Sequence, residues 1–299
     1  MTSLIHRSST LLFKTVSFTL LALIAFAANS VLCRYALEHD AIDAGSFTSL
    51  RLASGAIVLL LIISLHRQAH SERSKGSWLA GFMLFTYACT FSFAYNLLGA
   101  AMGALILFGV VQISMITLSS LSGNQLHFAE WFGLLIAFLG FVYLVFPGLS
   151  APPLLGVLLM VLSGIAWAIY SLKGQQSSQA LMDTAYNFLR TLPFVGLLTL
   201  MTFENSHYTS QGIFLAILSG GVTSAIGYII WYRALRDLTS TQAAVVQLLV
   251  PVITAMGGVL FLSEHLSTRL IVASMLILGG ISCVIVGRYY FLTVRRLKT

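Results

Sequence analysis

Charged side chains are scarce in this sequence. Asp, Glu, Lys and Arg together make up 8% of the 299 residues, against roughly 25% in soluble domains. A soluble chain of this length needs far more polar surface to cover its core, so the scarcity excludes an ordinary water-soluble protein. Hydrophobic residues make up 58% of the chain and the mean hydropathy is +0.92, which indicates a protein dissolved in lipid.

Titratable side chains are missing from the long apolar runs. The nine acids, from Glu38 to Glu264, and the seven histidines lie in loops or near the ends of these runs. Proton-coupled carriers generally use a titratable group at membrane depth. The sequence therefore disfavours a carrier that exchanges cations for protons and favours a neutral, zwitterionic or anionic metabolite. We expect Glu264 to cap a helix end or to form an ion pair.

Cysteine is rare and the common catalytic motifs are absent. Cys33, Cys89 and Cys283 lie far apart, within or beside apolar runs, so they form neither a metal-ligand spacing nor a disulfide framework. The chain contains no Gly-x-x-x-x-Gly-Lys phosphate loop, and no histidine lies deep enough to activate a buried serine. The sequence therefore predicts a protein that is not an enzyme, with no metal and no cofactor.

The apolar residues form ten runs separated by charged residues, Gly, Pro and Asn. A helix of about 20 residues crosses a bilayer core of about 30 Å, so we predict an all-α integral membrane protein with ten transmembrane helices. The predicted spans are residues 17–36, 46–65, 77–95, 100–121, 128–146, 154–172, 184–202, 212–232, 240–262 and 269–288. The first run could also be a signal peptide cleaved after Ala25-Phe26-Ala27, but the apolar stretch continues beyond that point.

Lys and Arg are concentrated on one side of this topology. With the N-terminus inside, Arg34 and Arg269 fall in outer loops, and Arg51 and Arg190 lie within spans. The other basic residues fall in inner segments: Arg7, Lys14, Arg67, Arg73, Lys75, Lys173, Arg233, Arg236, Arg288, Arg295, Arg296 and Lys298. By the positive-inside rule, both termini should face the cytoplasm of an inner or plasma membrane. The net charge of +7 then requires no nucleic-acid partner.

The two halves of the sequence resemble each other. At a shift of 139 residues, Arg34 aligns with Lys173 and Arg51 aligns with Arg190, which is notable because basic residues are so few. Each half holds five spans, an odd number, so the second half would enter the membrane in the opposite direction. We predict two inverted five-helix repeats, residues 1–148 and 149–299, around one central site.

Four motifs occur in a fixed order along the chain. They are Ala28-Asn29 followed by Arg34 in span one, the aromatic-x-x-x-Arg of Phe47 to Arg51 in span two, Leu249-Val250-Pro251-Val252 in span nine, and Leu262-Ser263-Glu264-His265-Leu266 before span ten. This series resembles the drug/metabolite transporter superfamily, and within it the ten-span exporters with paired EamA-type repeats. The resemblance implies a central cavity that opens alternately to each side, formed by spans one to four and six to nine, with spans five and ten as outer support.

The predicted function is secondary transport by alternating access. The resemblance implies an exporter of small metabolites such as amino acids. The alternatives are a multidrug or cation exporter and a non-transporting receptor or assembly protein, although inverted halves serve alternating access better than a static scaffold. The expected partners are a small-molecule substrate and the lipid bilayer, and the chain would act as a monomer or homodimer.

Polar side chains inside the spans are costly and therefore mark candidate binding residues. Arg51 and Arg190 could attract an anionic group at opposite mouths of the cavity, or they could snorkel to the lipid headgroups or cap nearby backbone carbonyls. Asn29, Gln112 and Gln247 lie deeper. Their amides could bind a polar metabolite or form hydrogen bonds between helices.

Aromatic side chains supply a second group of candidates, which could stack on a substrate or simply pack. They are Tyr87, Phe91, Trp167, Tyr170 and Tyr228. Trp231 and Tyr232, near the inner end of span eight, are expected in the interfacial belt.

A hinge is predicted in span nine. Pro251 removes a backbone donor and frees a carbonyl about one turn earlier, near Gln247. Gly257 follows within two turns, so Pro251 and Gly257 are the predicted hinge residues.

Overall fold

A computed structural model describes residues 2–65, 74–121, 128–145, 151–238 and 240–297, and within these ranges the regular structure is helical. The helices are α1 (Thr2–Glu38), α2 (Ala44–Leu65), α3 (Trp78–Tyr95), α4 (Ala100–Leu121), α5 (Phe128–Val145), α6 (Leu154–Gln175), α7 (Ala180–Thr202), α8 (Ser210–Leu218), α9 (Gly227–Leu235), α10 (Ser240–Gln247), α11 (Leu249–Leu262) and α12 (Thr268–Leu297). A 3-10 turn (Phe203–Asn205) follows α7, and a π-helical segment (Ser219–Ile226) joins α8 to α9. The predicted all-α class is confirmed.

Six of the described helical stretches are long and apolar enough to cross a membrane: Lys14–Glu38, Ala44–Leu65, Trp78–Tyr95, Ala100–Leu118, Leu154–Gln175 and Ser210–Leu235. Shorter apolar helices cover Trp131–Leu144, Leu249–Leu262 and Thr268–Cys283. The helix α7 is more polar because it carries Asp183, Asn187 and Arg190. The chain is an integral membrane protein, while the count of ten spans and the inverted repeat stay predictions.

The helix ends agree with most of the turn signals in the sequence. The break between spans three and four is confirmed, because α3 ends at Tyr95 and α4 begins at Ala100. By contrast, α1 begins at Thr2, well before the predicted start of span one at residue 17. The predicted boundary between the halves, at residues 148 and 149, lies outside the described residues, as do Arg67, Arg73 and Lys298.

Two helical stretches of the second half are interrupted. Between α8 and α9 the chain forms π turns, which occur frequently at functional sites. Gly220 in this segment lies so close to α2 that an added Cβ would overlap the carbonyl oxygen of Arg51. The other interruption separates α10 from α11 at Leu248, so that Pro251 stands in the first turn of α11, where its missing N–H is tolerated. The helix α11 continues without a break through Gly257.

The helices pack across the two halves of the chain. The helix α2 packs against α7, α3 packs against α6, and α1 packs against α9 and α11. The helices α5 and α12 pack mainly against each other, where Gly140 and Gly280 permit close approach: a Cβ on Gly280 would lie 2.6 Å from the Ala137 nitrogen. This peripheral pair agrees with the supporting position that the family resemblance implied for spans five and ten.

Candidate functional site

Arg51 of α2 lies in the interior of the helix bundle, and its side chain is fully buried. Its Nε donates to Ser224 Oγ at 3.0 Å, and its Nη2 donates to Tyr228 Oη at 2.8 Å and to Tyr87 Oη at 3.2 Å. The guanidinium carbon also lies 5.0 Å from the ring centroid of Phe91, a favourable cation–π distance. Snorkelling to the headgroups, which the sequence left open, is therefore wrong for Arg51.

The charge of Arg51 has no acidic partner among the described residues. Arg51 is the one charged side chain in the buried part of the chain that the structure describes. Its Nη1 is inaccessible to solvent and donates to no described protein atom. Buried charges are normally paired or fully hydrogen-bonded, because removing them from water is costly. Nη1 is therefore an unsatisfied cationic donor in the protein interior.

Several hydrogen-bond donors converge on the hydroxyl oxygen of Tyr87. Its oxygen accepts from Arg51 Nη2, from Asn29 Nδ2 at 3.3 Å and from Tyr228 Oη at 3.3 Å. These donors come from α1, α2 and α9, so three helices direct positive potential at one point on α3. Such a point favours an oxygen that carries more negative charge than a phenol does.

The π-helical segment completes this polar network. Asn29 Oδ1 accepts from Ser219 Oγ at 2.6 Å and from Thr223 Oγ1 at 3.3 Å, while the next residue, Ser224, accepts from Arg51. The adjacent hydroxyls of Thr223 and Ser224 thus contact two different helices, α1 and α2. Sequence reasoning missed these three hydroxyls, although three small polar residues around a Gly-Gly pair in an apolar span were a usable signal.

Trp167 forms the aromatic side of the site. Its ring centroid lies 4.8 Å from those of Tyr87 and Tyr228 and 5.2 Å from that of Phe26. The indole Nε1 donates to Gln247 Oε1 at 3.0 Å, which fixes both side chains. Sequence reasoning missed Phe26 because one more aromatic residue in an apolar span carries no distinguishing pattern.

These contacts define a central cluster of seven predicted residues: Asn29, Arg51, Tyr87, Phe91, Trp167, Tyr228 and Gln247. All are buried, and they touch one another directly, so the cluster is closed in this conformation.

A line of rings on α3 joins the central cluster to the end of the bundle that contains the α3–α4 turn. The rings of Tyr87, Phe91 and Tyr95 are one turn apart, with successive centroid distances of 5.3 and 4.6 Å. Beyond them, Arg34 Nη1 donates to the Tyr95 carbonyl at 2.9 Å, and Arg34 Nε lies 3.6 Å from Glu264 Oε1.

Glu264 closes this end of the bundle. Its carboxylate accepts from the backbone nitrogens of Ala100 at 2.6 Å and Ala101 at 3.3 Å, which are the first two residues of α4. It thus caps a helix N-terminus and forms an ion pair with Arg34, so the sequence-based prediction for Glu264 is confirmed. Arg34 also pairs with the more exposed Glu38 at 3.2 Å.

The opposite end is reached through two tyrosines. The ring of Tyr170 lies 5.5 Å from that of Trp167 and 5.2 Å from that of Tyr232. Tyr232 lines a pocket of about 240 Å³. The other lining residues are Gly76, Ser77, Ala80, Lys173, Gln176, Ser177, Asp183 and Asn187. Trp231 and Tyr232 are both fully buried, so their expected place in the interfacial belt is wrong.

Asp183 holds the segment before α3 against the start of α7. Its carboxylate accepts from the hydroxyls of Ser74 and Ser177 and from the Gly76 nitrogen at 3.2 Å. One turn later, Asn187 Oδ1 accepts from the backbone nitrogen of the residue that caps α3, at 3.1 Å. Polar contacts therefore close this end of the bundle as well.

Of the remaining predicted residues, Tyr170 lies beside the central cluster, and four others lie outside it. Arg190 is partly buried near the Asp183 end, where it donates to the Lys75 carbonyl and lies over the Trp78 ring. Gln112 is fully buried in α4. Pro251 is buried one turn after Gln247, and Gly257 packs so closely on α1 that a Cβ would lie 2.7 Å from Val31.

The fold and the central cluster define a polytopic membrane protein in which polar groups from both halves of the chain meet in the interior. The EamA-like transporter family matches this sequence twice, over residues 13–146 and 154–286. The chain belongs to that family.

Relatives match this chain over most of its length, and one of them is named a transporter. An uncharacterized protein of Pseudomonas aeruginosa is 45% identical over 275 residues, covering 92% of this chain and 96% of the relative. An uncharacterized transporter of Archaeoglobus fulgidus is 26% identical over 244 residues, covering 75% of this chain and 81% of the relative. A crystal structure aligns with a TM-score of 0.63 at 21% identity, covering 90% of this chain and 98% of the other, which shows a shared fold.

Proposed function

We propose that this protein is a secondary transporter that exports a small polar metabolite, such as an amino acid, across the cell membrane. The observation that carries the proposal is the origin of the central cluster. Asn29, Arg51 and Tyr87 come from the first family match, whereas Trp167 and Tyr228 come from the second. A site formed between two halves can be opened from either side by moving one half against the other.

The polar closures at both ends support alternating access. Arg34 and Glu264 join α1 to the start of α4 at one end, and Asp183 joins α7 to the segment before α3 at the other. We propose ten spans in two inverted five-helix repeats, with both termini in the cytoplasm, so that the Glu264 end faces outward. Substrate would reach the central cluster after one closure opens and leave after the other does.

The chemistry of the central cluster suits an amino acid better than an organic cation. The amides of Asn29 and Gln247 and the hydroxyls around Tyr87 can bind polar groups. The rings of Trp167 and Tyr228 can pack against a side chain. Arg51 would repel a cationic drug, and no described acid is buried beside it, which argues against the alternative of a cation exporter.

Counterflow in proteoliposomes tests this function. Purified protein would be loaded with an unlabelled amino acid, and uptake of the labelled one would be measured for a panel, with and without a pH gradient. We expect saturable exchange for at least one member that does not require the gradient, because no Asp or Glu among the described residues is buried at the site. If exchange requires the gradient, an acid at a span end, first of all Glu264, would couple transport to protons.

Two alanine variants connect the flux to the central cluster. Gln247→Ala removes the acceptor of the Trp167 indole, and Trp167→Ala removes the ring between Tyr87 and Tyr228. Each should lower counterflow about five- to thirtyfold, since a lost buried hydrogen bond or aromatic contact is worth about 1–2 kcal/mol. Trp131→Ala is the control, because that indole is 62% exposed on α5. Wild-type flux in both cluster variants would sink the site assignment.

A further inference from the structure

We propose that the central cluster recognises its substrate through a carboxylate that binds the Nη1 edge of Arg51. This inference rests on the proposed function, because it names the chemical class that the same site would carry. It starts from the unsatisfied state of Nη1, which is buried and donates to no described protein atom. A guanidinium has five N–H donors in a planar fork that matches a carboxylate, so the free edge is a preformed half of a bidentate pair.

The other hydrogen-bond donors around Arg51 favour the same kind of ligand, a carboxylate. Nη2 of Arg51, Nδ2 of Asn29 and the Tyr228 hydroxyl all donate to Tyr87 Oη. A carboxylate oxygen beside this point would accept the same donors with a full negative charge. Small rotations of the Tyr87 and Tyr228 side chains would transfer these hydrogen bonds from the phenol to the substrate.

The charge balance at Arg51 selects a singly charged anionic group. Arg51 contributes one positive charge, and the next cation along the line of rings, Arg34, is already paired with Glu38 and Glu264. A carboxylate would neutralise Arg51, whereas a phosphate group, with a charge of about −1.5 to −2, would leave an uncompensated negative charge. A neutral amide or ester would leave Nη1 without a strong acceptor, and a cation would be repelled.

Ligand-induced changes in tryptophan fluorescence test the inference directly. Trp167 lies 4.8 Å from Tyr87 and reports on the central cluster, and Trp78→Phe and Trp131→Phe remove the two exposed indoles. The full-length protein in detergent would be titrated with phenylacetate, its neutral amide phenylacetamide, the cation phenethylamine and the dianion phenylphosphonate. We expect saturable binding of phenylacetate at least about tenfold tighter than that of the amide, with the amine and the phosphonate weaker still.

Substitutions of Arg51 test whether its guanidinium causes the preference for the acid over the amide. Arg51→Gln should abolish the difference between acid and amide, and Arg51→Lys should retain the preference for the acid in weakened form, because it keeps the charge and loses the fork. Arg233→Gln, which removes an exposed cation from the helix that carries Tyr228, should leave the difference unchanged. Tyr228→Phe retains the Arg51 side chain but removes one hydroxyl donor of the site, and it should weaken phenylacetate alone, so the test survives if Arg51→Gln does not fold.

The outcomes separate the inference from the function. Equal binding of acid and amide by the wild type, tighter binding of the phosphonate, or no saturable binding of phenylacetate would each overturn the inference. So would an unchanged acid preference in Arg51→Gln. Amino-acid counterflow that persists alongside one of these results would leave the transport function intact. Acid-selective binding without counterflow of any amino acid would refute the amino-acid function and keep the carboxylate site.

Discussion

Replacing Glu264 by Gln should open the end of the bundle that this residue closes. The amide keeps one acceptor for the Ala100 N–H but loses the negative charge that faces the N-terminus of α4 and the Arg34 guanidinium. Hydrogen bonds to charged groups contribute about 1.5–3 kcal/mol against about 1 for neutral ones. A carboxylate at a helix N-terminus adds about 0.3–1 kcal/mol. The side chains of Arg34 and Glu264 are only 17% and 14% exposed, so solvent screens this interaction little.

The net loss is therefore about 2 kcal/mol, which corresponds to about a 30-fold increase in the open population at this end. Cys33 is the reporter, because it is fully buried and lies one turn beyond Asn29 on the inner face of α1. In a Cys89→Ser, Cys283→Ser background, the rate of maleimide alkylation of Cys33 follows the open population when opening is fast and reversible. We expect that rate to rise about 30-fold in Glu264→Gln.

Glu38→Gln is the matched control for this experiment. Glu38 also pairs with Arg34, at 3.2 Å, but its side chain is 36% exposed, and exposed ion pairs contribute about 0–1 kcal/mol. In Glu38→Gln the alkylation rate of Cys33 should rise by less than about fivefold. Equal rates for Glu264→Gln and Glu38→Gln, in samples with the same elution volume, would refute the role of Glu264 in closing this end.

Two further predictions concern backbone contact and the opposite closure. Gly220→Ala should prevent folding or cost more than about 3 kcal/mol, because the new methyl group would overlap the Arg51 carbonyl oxygen, a backbone atom that cannot move independently. Gly196→Ala, whose methyl group would meet nothing within 4 Å, should be neutral or slightly stabilising; thermal unfolding in detergent compares the two, and equal midpoints would contradict the contact. Asp183→Asn should weaken the closure at the other end by about 1–2 kcal/mol, since it replaces charged acceptor bonds by neutral ones. Alkylation of a cysteine introduced at Ala80, which is 3% exposed and lines the pocket at this end, should then accelerate about tenfold, and an unchanged rate would contradict this role.

The sequence predicted the helical class and most helix ends because those depend on local composition. Long apolar runs require helices in a membrane, and the few polar breaks mark where each helix stops. Two residues, Asn96 and Gly99, were enough to place the turn between α3 and α4. The inverted repeat is a property of topology, which local composition indicates only indirectly.

The depth and partners of the polar residues were harder to predict. Arg51 and Arg190 occupy matching positions in the two halves, yet Arg51 is buried among tyrosines while Arg190 reaches a backbone carbonyl near the Asp183 end. Sequence spacing gives both the same place in their helices. Only the packing of the neighbouring helices, including the π turns that present Ser224, decides which guanidinium enters the interior.

Neighbouring helices also decide the positions of Trp231 and Tyr232. A position near a helix end is typical of the interfacial belt, but α9 packs against α1 and α7 there. Trp231 consequently donates to Ser171 at 3.3 Å instead of meeting headgroups. Burial of this kind depends on which helices are neighbours, and that information is not local in the sequence.

The contact between Gly220 and the Arg51 carbonyl brings two backbones together without an intervening side chain. No side chain lies between the two backbones that could repack to fill a gap, so moving them apart at this point would leave a void, whereas a rotation about the point would keep the contact. That point would then serve as a fulcrum for α2 and the π-helical segment. Because displacement is smallest at a fulcrum, Arg51 would stay nearly fixed in the membrane while the two ends of the bundle swing in turn.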